Sequence, residues 1–455
     1  MTDDTAGPKP WDIEQFKGVR RHAERKRDWE DEEDLVLDQN YRTEKRTGKV
    51  VPKYDTDGPS LLWLALKTAI LTVLTVGFYR FWMVTRLRRH YWNAIKVQGD
   101  PFEYTGTGLE KLLGFLVAVI VLAVYLGLIN IGLVFLGFSY VQDQSFAVVA
   151  SIFASMPLIF FAVYRAQRYI MARTRWRGIR FGMDNGAWGY SVRAMWLWFL
   201  TLVTGGLLYP YMQFKLAKFI TDRTYFGDLK FEQRGSWAGL FAYWIWLYIV
   251  IGLMGLAIWG LAADQGNPST TVIGWILFFV GYITFFVLLL RYEVVVFRYL
   301  WSNRHLGDAS FENDVTPGSI ISAYVVGTLL VSVITTIVAF ALVMAVGAIV
   351  TVLGGAELVE SLRTGSGAGQ AEMAAMMQQP VMLVATIVLI YLIFFAVPFA
   401  LSQVFITKPI LKRKAEAMQI RDAQSLMQSR QREHDHAAEA GGFADALGVD
   451  VGAGI

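Results

Sequence analysis

The chain has 455 residues, of which 55% are hydrophobic and only 18% are charged, and it contains no cysteine. This composition excludes an ordinary soluble domain, and the lack of cysteine excludes disulfides, thiolate metal sites and cysteine nucleophiles. The formal net charge is +4. In a membrane protein such a basic excess serves orientation and contact with headgroups. We therefore expect the lipid bilayer and anionic headgroups as partners, and no nucleic acid.

The chain begins with a polar segment of mixed charge that lacks the pattern of a cleavable secretory signal. Within it, residues 11–23 place apolar side chains at helical spacing beside basic ones, which predicts a helix on a membrane surface. We predict a cytoplasmic tail over 1–59, a transmembrane domain with internal repeats over 60–406, and a cytoplasmic helix with a disordered tail over 407–455.

Eight apolar runs follow, each of about 18 residues or more, which is the length a helix needs to cross about 30 Å of hydrocarbon. The runs are 60–84, 109–138, 145–164, 195–214, 237–263, 271–290, 319–353 and 380–405. They predict a multi-pass protein of the bacterial inner membrane.

Basic residues between the runs predict the topology, because cytoplasmic loops accumulate Lys and Arg. If all eight runs crossed, the arginine-rich loops 85–108 and 165–190 would be exported. The conflict disappears if the first and fourth runs enter and leave by the cytoplasmic face. This interpretation predicts six spans, two re-entrant or kinked helical hairpins, and both termini in the cytoplasm. The alternative is an ordinary kinked span that breaks the charge rule.

The two exceptional runs share the pattern L-T-x-x-T-x-G at 71–77 and 200–206. Glycine loosens a helix at such a place, and threonine hydroxyls satisfy freed backbone groups where water is absent. The pattern therefore predicts a break within each run.

A second pattern occurs four times between the runs: a helix end with a cationic residue, then a glycine turn about ten residues later, then a phenylalanine. The turn and phenylalanine positions are Gly99, Asp100, Phe102, Gly178, Phe181, Gly227, Asp228, Phe231, Gly307, Asp308 and Phe311. Glycine supplies the positive φ that tight hairpins need, so each copy predicts a short β-hairpin. The copies serve either as connectors that set the angles of the next helices or as a ligand-binding surface.

These patterns together predict an all-α polytopic fold with about six spans, two re-entrant hairpins and short cytoplasmic β-hairpins between membrane segments.

Residues 71–115, with L-T-x-x-T-x-G-x-Y followed by F-W-M-V-T-R-L-R-R-H-Y-W, resemble the YjgN family of bacterial inner-membrane proteins, a domain of unknown function. The resemblance extends over about 60–412. It implies a multi-spanning inner-membrane protein and transfers no catalytic or ligand residue.

No H-E-x-x-H, Walker A or G-x-S-x-G pattern occurs in the chain. We therefore expect no enzymatic activity and no cofactor or metal. The apolar runs also lack Asp and Glu away from their ends, which disfavours ion-coupled transport.

Four cations lie in or beside the two exceptional runs: Lys67 and Arg80 in the first, Arg193 and Lys215 beside the fourth. They either line an electropositive vestibule suited to anions or headgroups, or extend to headgroups without lining anything. The first function class is a channel or transporter for a small, anionic solute or lipid. The alternative is a non-enzymatic structural module whose cytoplasmic hairpins bind a protein partner.

Overall fold

The computed structural model describes residues 49–55, 61–136, 144–263, 268–363 and 387–432. The predicted surface helix at 11–23 and the predicted tail after 432 lie outside these residues. The chain divides into two compact units, Met1–Val50 and Val51–Ile455. The first unit contains one described strand, β1 (Lys49–Val50), and everything below concerns the second unit.

Eleven described helices follow in chain order. They are α1 (Leu61–Leu74), α2 (Arg80–Ala94), α3 (Gly108–Leu136), α4 (Gln144–Arg173), α5 (Ala187–Val203), α6 (Tyr209–Thr221), α7 (Ala238–Ala263), α8 (Pro268–Ser302), α9 (Pro317–Arg363), α10 (Ile387–Glu416) and α11 (Gln424–Gln428). Helix α10 is interrupted by two π-helical stretches, Leu392–Ala396 and Gln403–Thr407.

Six of the described helices, α3, α4, α7, α8, α9 and α10, are long and apolar enough to cross a membrane. Their large apolar side chains are widely exposed, as at Ile131 on α3 and Trp259 on α7. A helix that is apolar all round must be covered by lipid or by a large core. These six helices make the chain a multi-pass membrane protein by length and composition.

Ten strands of this unit form one antiparallel sheet. They are β2 (Lys53–Tyr54), β3 (Ile95–Val97), β4 (Asp100–Tyr104), β5 (Thr174–Trp176), β6 (Ile179–Met183), β7 (Thr224–Phe226), β8 (Leu229–Gln233), β9 (Arg304–Leu306), β10 (Ala309–Asn313) and β11 (Met418–Arg421). The order across the sheet is β11-β10-β9-β8-β7-β6-β5-β4-β3-β2. We call β3–β4, β5–β6, β7–β8 and β9–β10 hairpins 1 to 4.

The prediction of an all-α fold with separate short hairpins is wrong, because each hairpin is hydrogen-bonded to the next. A hairpin leaves unpaired N–H and C=O groups along its outer edges, and a neighbouring strand satisfies them. The phenylalanine of each repeat copy lies opposite the last residue of the next copy's first strand, or opposite β11. The pairs are Phe102 and Trp176, Phe181 and Phe226, Phe231 and Leu306, and Phe311 and Ile420.

The two exceptional apolar runs are each broken into a pair of helices, α1–α2 and α5–α6. In the first break, the Thr75 hydroxyl donates to the Leu71 carbonyl oxygen at 2.7 Å and accepts from the Tyr79 backbone N–H at 2.9 Å. Thr204 makes the same two contacts in the second break. Because β2 pairs with β3 and β6 pairs with β7, both pairs of helices begin and end at the sheet.

Candidate functional site

One face of the sheet forms a wall of a cavity of about 260 Å³. Each hairpin contributes the same three positions to its wall, namely the first and third residues of the first strand and the phenylalanine of the second strand. These twelve residues are Ile95, Val97, Phe102, Thr174, Trp176, Phe181, Thr224, Phe226, Phe231, Arg304, Leu306 and Phe311. Side chains alternate between the two faces of a strand, so this spacing brings all twelve to one face.

Helix ends line the cavity on the side facing the membrane helices. They come from α2, α4, α6, α8 and α10, the five helices that lead into the sheet. Examples are Tyr91, Met171, Ile220, Trp301 and Leu411. Among the described lining residues, none belongs to α3, α5, α7 or α9, the helices that lead away from it. The cavity therefore lies between the sheet and an inner ring of five helix ends.

Aromatic contacts hold the wall of the cavity together. The ring centroids of Phe181 and Phe226 lie 4.7 Å apart, and those of Trp176 and Phe226 lie 5.6 Å apart. The rings of Phe231 and Phe311 stack at 6.1 Å. Such pairs contribute about 0.5–1.5 kcal/mol each beyond the burial of their area. The wall is thus apolar and packed from neighbouring hairpins.

The glycines of the repeat form the hairpin turns, with φ between +54° at Gly227 and +90° at Gly99. The aspartates that follow lie outside the cavity. Asp100 forms an ion pair with Arg177 at 3.2 Å. Asp228 accepts a hydrogen bond from the backbone N–H of Arg430 at 3.0 Å, which lowers the pKa of its carboxyl. These positions shape the turns and do not line the cavity.

In three of the four copies, the repeated cation ties the end of its helix to the end of the hairpin that follows. A guanidinium N–H of Arg89 donates to the Gly106 carbonyl oxygen at 2.8 Å, and Arg168 donates to that of Met183 at 3.1 Å. Lys218 makes the corresponding bond to Gln233. These contacts set the direction in which the chain leaves the hairpin, which agrees with the connector interpretation for the cations.

Residues 422–432, which we call the C-terminal strap, run from β11 to the turn of hairpin 3. Leu426 is 5% exposed and lines the cavity. The Ser429 hydroxyl donates to the Phe226 carbonyl oxygen at 3.3 Å, and the Arg432 guanidinium lies 3.9 Å from the centre of the Tyr225 ring. A Cβ at Gly227 would clash with the Arg430 carbonyl oxygen. The strap therefore covers part of the cavity and depends on glycine in this turn.

Arg304 is the only charged residue among the described residues that line the cavity. Its Nε–H donates to the Gln233 side-chain oxygen at 3.3 Å, and its guanidinium lies 4.2 Å from the centre of the Trp301 ring. Burial lowers the pKa of Arg304 to about 10. The side chain therefore remains a cation at neutral pH, inside an otherwise apolar wall.

A second, more open cavity of about 370 Å³ lies between α4 and the start of α5. Arg165, Arg168 and Trp188 line it. Only one helix pair and its connection form this cavity, whereas all four hairpins build the cavity inside the sheet. The sheet cavity is therefore the stronger candidate for a ligand site.

The four predicted vestibule cations lie elsewhere. Lys67, Arg80, Arg193 and Lys215 are all exposed, and none lines either cavity. Two of them rest on aromatic rings: Arg193 lies 4.7 Å from the centre of the Phe219 ring, and Lys215 lies 5.5 Å from that of Tyr211. The vestibule stays a prediction.

The repeat pattern predicted a hairpin and a phenylalanine in each copy, but it did not single out the cavity-facing residues of the first strands. Those strands have three residues each, too few for an alternating pattern to stand out. It also missed a fifth, partial copy. In this copy Lys412 lies six residues before Met418, the first residue of β11. Arg89, Arg168, Lys218 and Arg298 precede their strands by the same spacing. This spacing was the available signal, since the fifth copy has no glycine turn.

A family model matches residues 53–337, more than half of the chain. The chain belongs to this family, described as a bacterial protein of unknown function (DUF898). The segment that matches the DUF898 family contains all four hairpins and therefore all twelve hairpin positions of the cavity wall. Helix α10, β11 and the C-terminal strap follow the matched segment. No curated protein and no solved structure matches the chain.

Proposed function

We propose that this member of the DUF898 family binds the apolar chain of a small lipid-like molecule in the sheet cavity and exchanges it with the bilayer, a transporter-type function. The observation that carries the proposal is the repeated construction of the cavity. Four hairpins supply three equivalent positions each, apolar except for Thr174, Thr224 and Arg304, and five helix ends close the side toward the membrane. A packed core needs no enclosed space, whereas ligand sites are concave, mostly apolar and largely pre-formed.

The size of the cavity limits the ligand. Ligand pockets begin at roughly 300 Å³, and the cavity has about 260 Å³. A single short chain or a single ring system fits this space, and a two-chain phospholipid does not. Of these two, the single chain matches the proposed exchange with the bilayer, so we propose a single-chain amphiphile as the ligand class.

The proposed orientation places the sheet and both termini in the cytoplasm of a bacterial inner membrane, because the arginine-rich loops belong there. In this orientation α1–α2 and α5–α6 re-enter from the cytoplasmic side. Helix α1 has 14 residues, whereas a span needs about 20. The turn between α1 and α2 also presents an apolar residue, Val76, that is 88% exposed. The narrower assignment to the YjgN family is part of this proposal.

A second, non-enzymatic function is binding of a protein partner by the outer face of the sheet. Lysines of that face form ion pairs with residues that follow other strands of the sheet: Lys96 with Asp55 at 2.7 Å and Lys230 with Asp184 at 3.7 Å. Polar, charged surfaces of this kind suit the rim of a transient interface. This function does not require an occupied cavity.

Photolabelling tests the proposed function. The full chain in lipid discs is illuminated with decanol that carries a diazirine, and the labelled residues are identified by mass spectrometry. We expect labels on the cavity-facing residues of β3 to β10, which a probe dissolved only in the bilayer does not reach. Ala415→Phe adds a ring at the cavity wall and is expected to reduce these labels by roughly tenfold, the equivalent of about 1.4 kcal/mol.

The matched control is Ala238→Phe, because Ala238 is exposed at the start of α7. It should leave the labels on the hairpins unchanged. Labels confined to the lipid-facing helices, with none on the hairpins, would contradict the proposed function. Labels on the hairpins that Ala415→Phe does not reduce would contradict it as well.

A further inference from the structure

Arg304 breaks the pattern of the cavity wall. It is the first residue of hairpin 4, and the same position holds Ile95, Thr174 and Thr224 in the other three hairpins. Those side chains are apolar or carry a single hydroxyl, and both threonine hydroxyls donate to carbonyl oxygens of the preceding helix. At this position hairpin 4 therefore presents a cation, whereas the other three hairpins present neutral side chains.

The guanidinium is held in place by Gln233, which does not line the cavity, and by Trp301, which does. Gln233 is fully buried, and its side-chain N–H groups donate to the Leu300 and Asn303 carbonyl oxygens at 3.0 and 3.3 Å. Its side-chain oxygen therefore points in a fixed direction, toward the Nε–H of Arg304. Trp301 supports the guanidinium from one face. Gln233 is a positioning residue, because it acts through Arg304.

No carboxylate among the described residues forms an ion pair with Arg304. A cation in an apolar environment is costly unless an anion compensates it, and its planar fork of donors matches two oxygens of a carboxylate or phosphate. The contacts to Gln233 and Trp301 use the Nε–H and one face of the plane. The remaining donors are the natural place for an anionic group of a ligand.

We propose that Arg304 binds the oxyanion of a single-chain anionic amphiphile, a carboxylate or a phosphate, whose chain occupies the aromatic cavity. This inference rests on the proposed function and specifies its ligand class. The apolar wall binds the chain, and Arg304 selects the charged head. Such a ligand arrives either from the bilayer or from solution, and both sources present the same chemistry.

Competition against the photoreactive decanol tests the inference. The full chain is held in discs of a zwitterionic lipid, and decanoate, decyl phosphate, decanol and inorganic phosphate compete in turn. We expect decanoate or decyl phosphate to reduce hairpin labelling at concentrations about tenfold lower than decanol, because a charge-assisted hydrogen bond contributes more than a neutral one. Inorganic phosphate, which has no chain, should not compete.

Arg304→Gln is expected to remove this tenfold preference while decanol still competes, which also shows that the variant is folded. Lys230→Gln is the charge-matched control, since Lys230 is exposed on the outer face of the same sheet. It should keep the preference. Comparing ratios between variants in the same discs cancels the different partition of each competitor into lipid.

Equal competition by decanol and decanoate in the natural chain would overturn the inference, and so would a preference that survives Arg304→Gln. Competition by inorganic phosphate at the same concentration as decyl phosphate would also overturn it, because the chain would then contribute nothing. Failure of the proposed function is a different result: decanol does not label the hairpins at all.

Discussion

Two buried tyrosines differ in whether the hydroxyl group has a partner. Tyr54 on β2 is 8% exposed, and its hydroxyl lacks a hydrogen-bond partner in the described part of the chain. Burial raises the pKa of Tyr54 to about 12. The Tyr91 hydroxyl donates to the side-chain oxygen of Gln403 at 2.8 Å, across to α10. Of these two tyrosines, only Tyr91 therefore has a hydrogen bond that offsets the free-energy cost of removing its hydroxyl from water.

We expect Tyr54→Phe to leave the free energy of unfolding unchanged or to raise it by up to about 1 kcal/mol, because it removes a desolvated group with no bond. Tyr91→Phe, the matched control, should lower it by about 1 kcal/mol, since the Gln403 amide loses its partner. The midpoint of thermal unfolding of the purified protein in detergent measures both. An equal loss in the two variants would show that Tyr54 has a partner after all.

At this scale, the phenylalanines of the repeat could be predicted from the sequence and Arg304 could not. The phenylalanines recur three or four residues after a glycine turn, so local sequence predicts both the turn and the position. Arg304 looks like one more basic residue of a loop. Its environment comes from Gln233, which lies 71 positions away in sequence. No local pattern carries that information.

The C-terminal strap shows how an element outside the repeat shapes the site. Leu426 lines the cavity, and Ser429 is hydrogen-bonded to Phe226 of hairpin 3. The chain has no natural cysteine, so a single introduced thiol reports access to the cavity. We expect Thr224→Cys, on the cavity wall, to react slowly with a water-soluble maleimide in the purified full-length protein.

Ending the chain after Arg421 removes the strap but keeps β11. The reaction of the Thr224→Cys thiol should then become faster by on the order of tenfold, because local opening no longer has to precede it. Glu103→Cys, which is exposed on β4, should react at the same rate in both chains. An unchanged rate at Thr224→Cys would mean that the strap does not cover the cavity.

The helices and the sheet differ in how far the sequence predicts them. Each membrane helix can be predicted from local sequence, because it needs only enough consecutive apolar residues. Its backbone groups are satisfied by hydrogen bonds within the helix itself. The sheet depends on pairing between hairpins separated by a whole helical pair, as for Phe102 and Trp176. Apolar length and turn chemistry predict each hairpin, but they contain nothing about which edges meet.

For the whole molecule, the shared sheet constrains the topology. Hairpins 1 to 4 are hydrogen-bonded in series, so they lie on one side of the membrane. Single cysteines at Thr107, Arg177 and Lys230, all exposed, test this in cells with a maleimide that does not cross the membrane. We expect all three to be protected in intact cells and labelled after lysis, because the proposed orientation places the sheet in the cytoplasm.

The position of hairpin 3 makes this test decisive for α5–α6. If that pair crossed the membrane, Arg177→Cys and Lys230→Cys would react from opposite sides. Labelling of any one of the three in intact cells would contradict the proposed orientation. Labelling of all three in intact cells would keep the shared sheet and reverse the orientation.

The order of the strands also has a consequence for biogenesis. Four hairpins are synthesised before α9 and α10, yet β10 obtains its outer neighbour only when β11 follows α10. Until then β10 has an open edge, and an open edge recruits other strands. A ribosome that stalls within α9 or α10 therefore leaves a chain in which the outer edge of β10 is unpaired. The apolar cavity then also lacks the wall residues of β11 and the C-terminal strap. Such a product is a natural target for membrane proteases and chaperones.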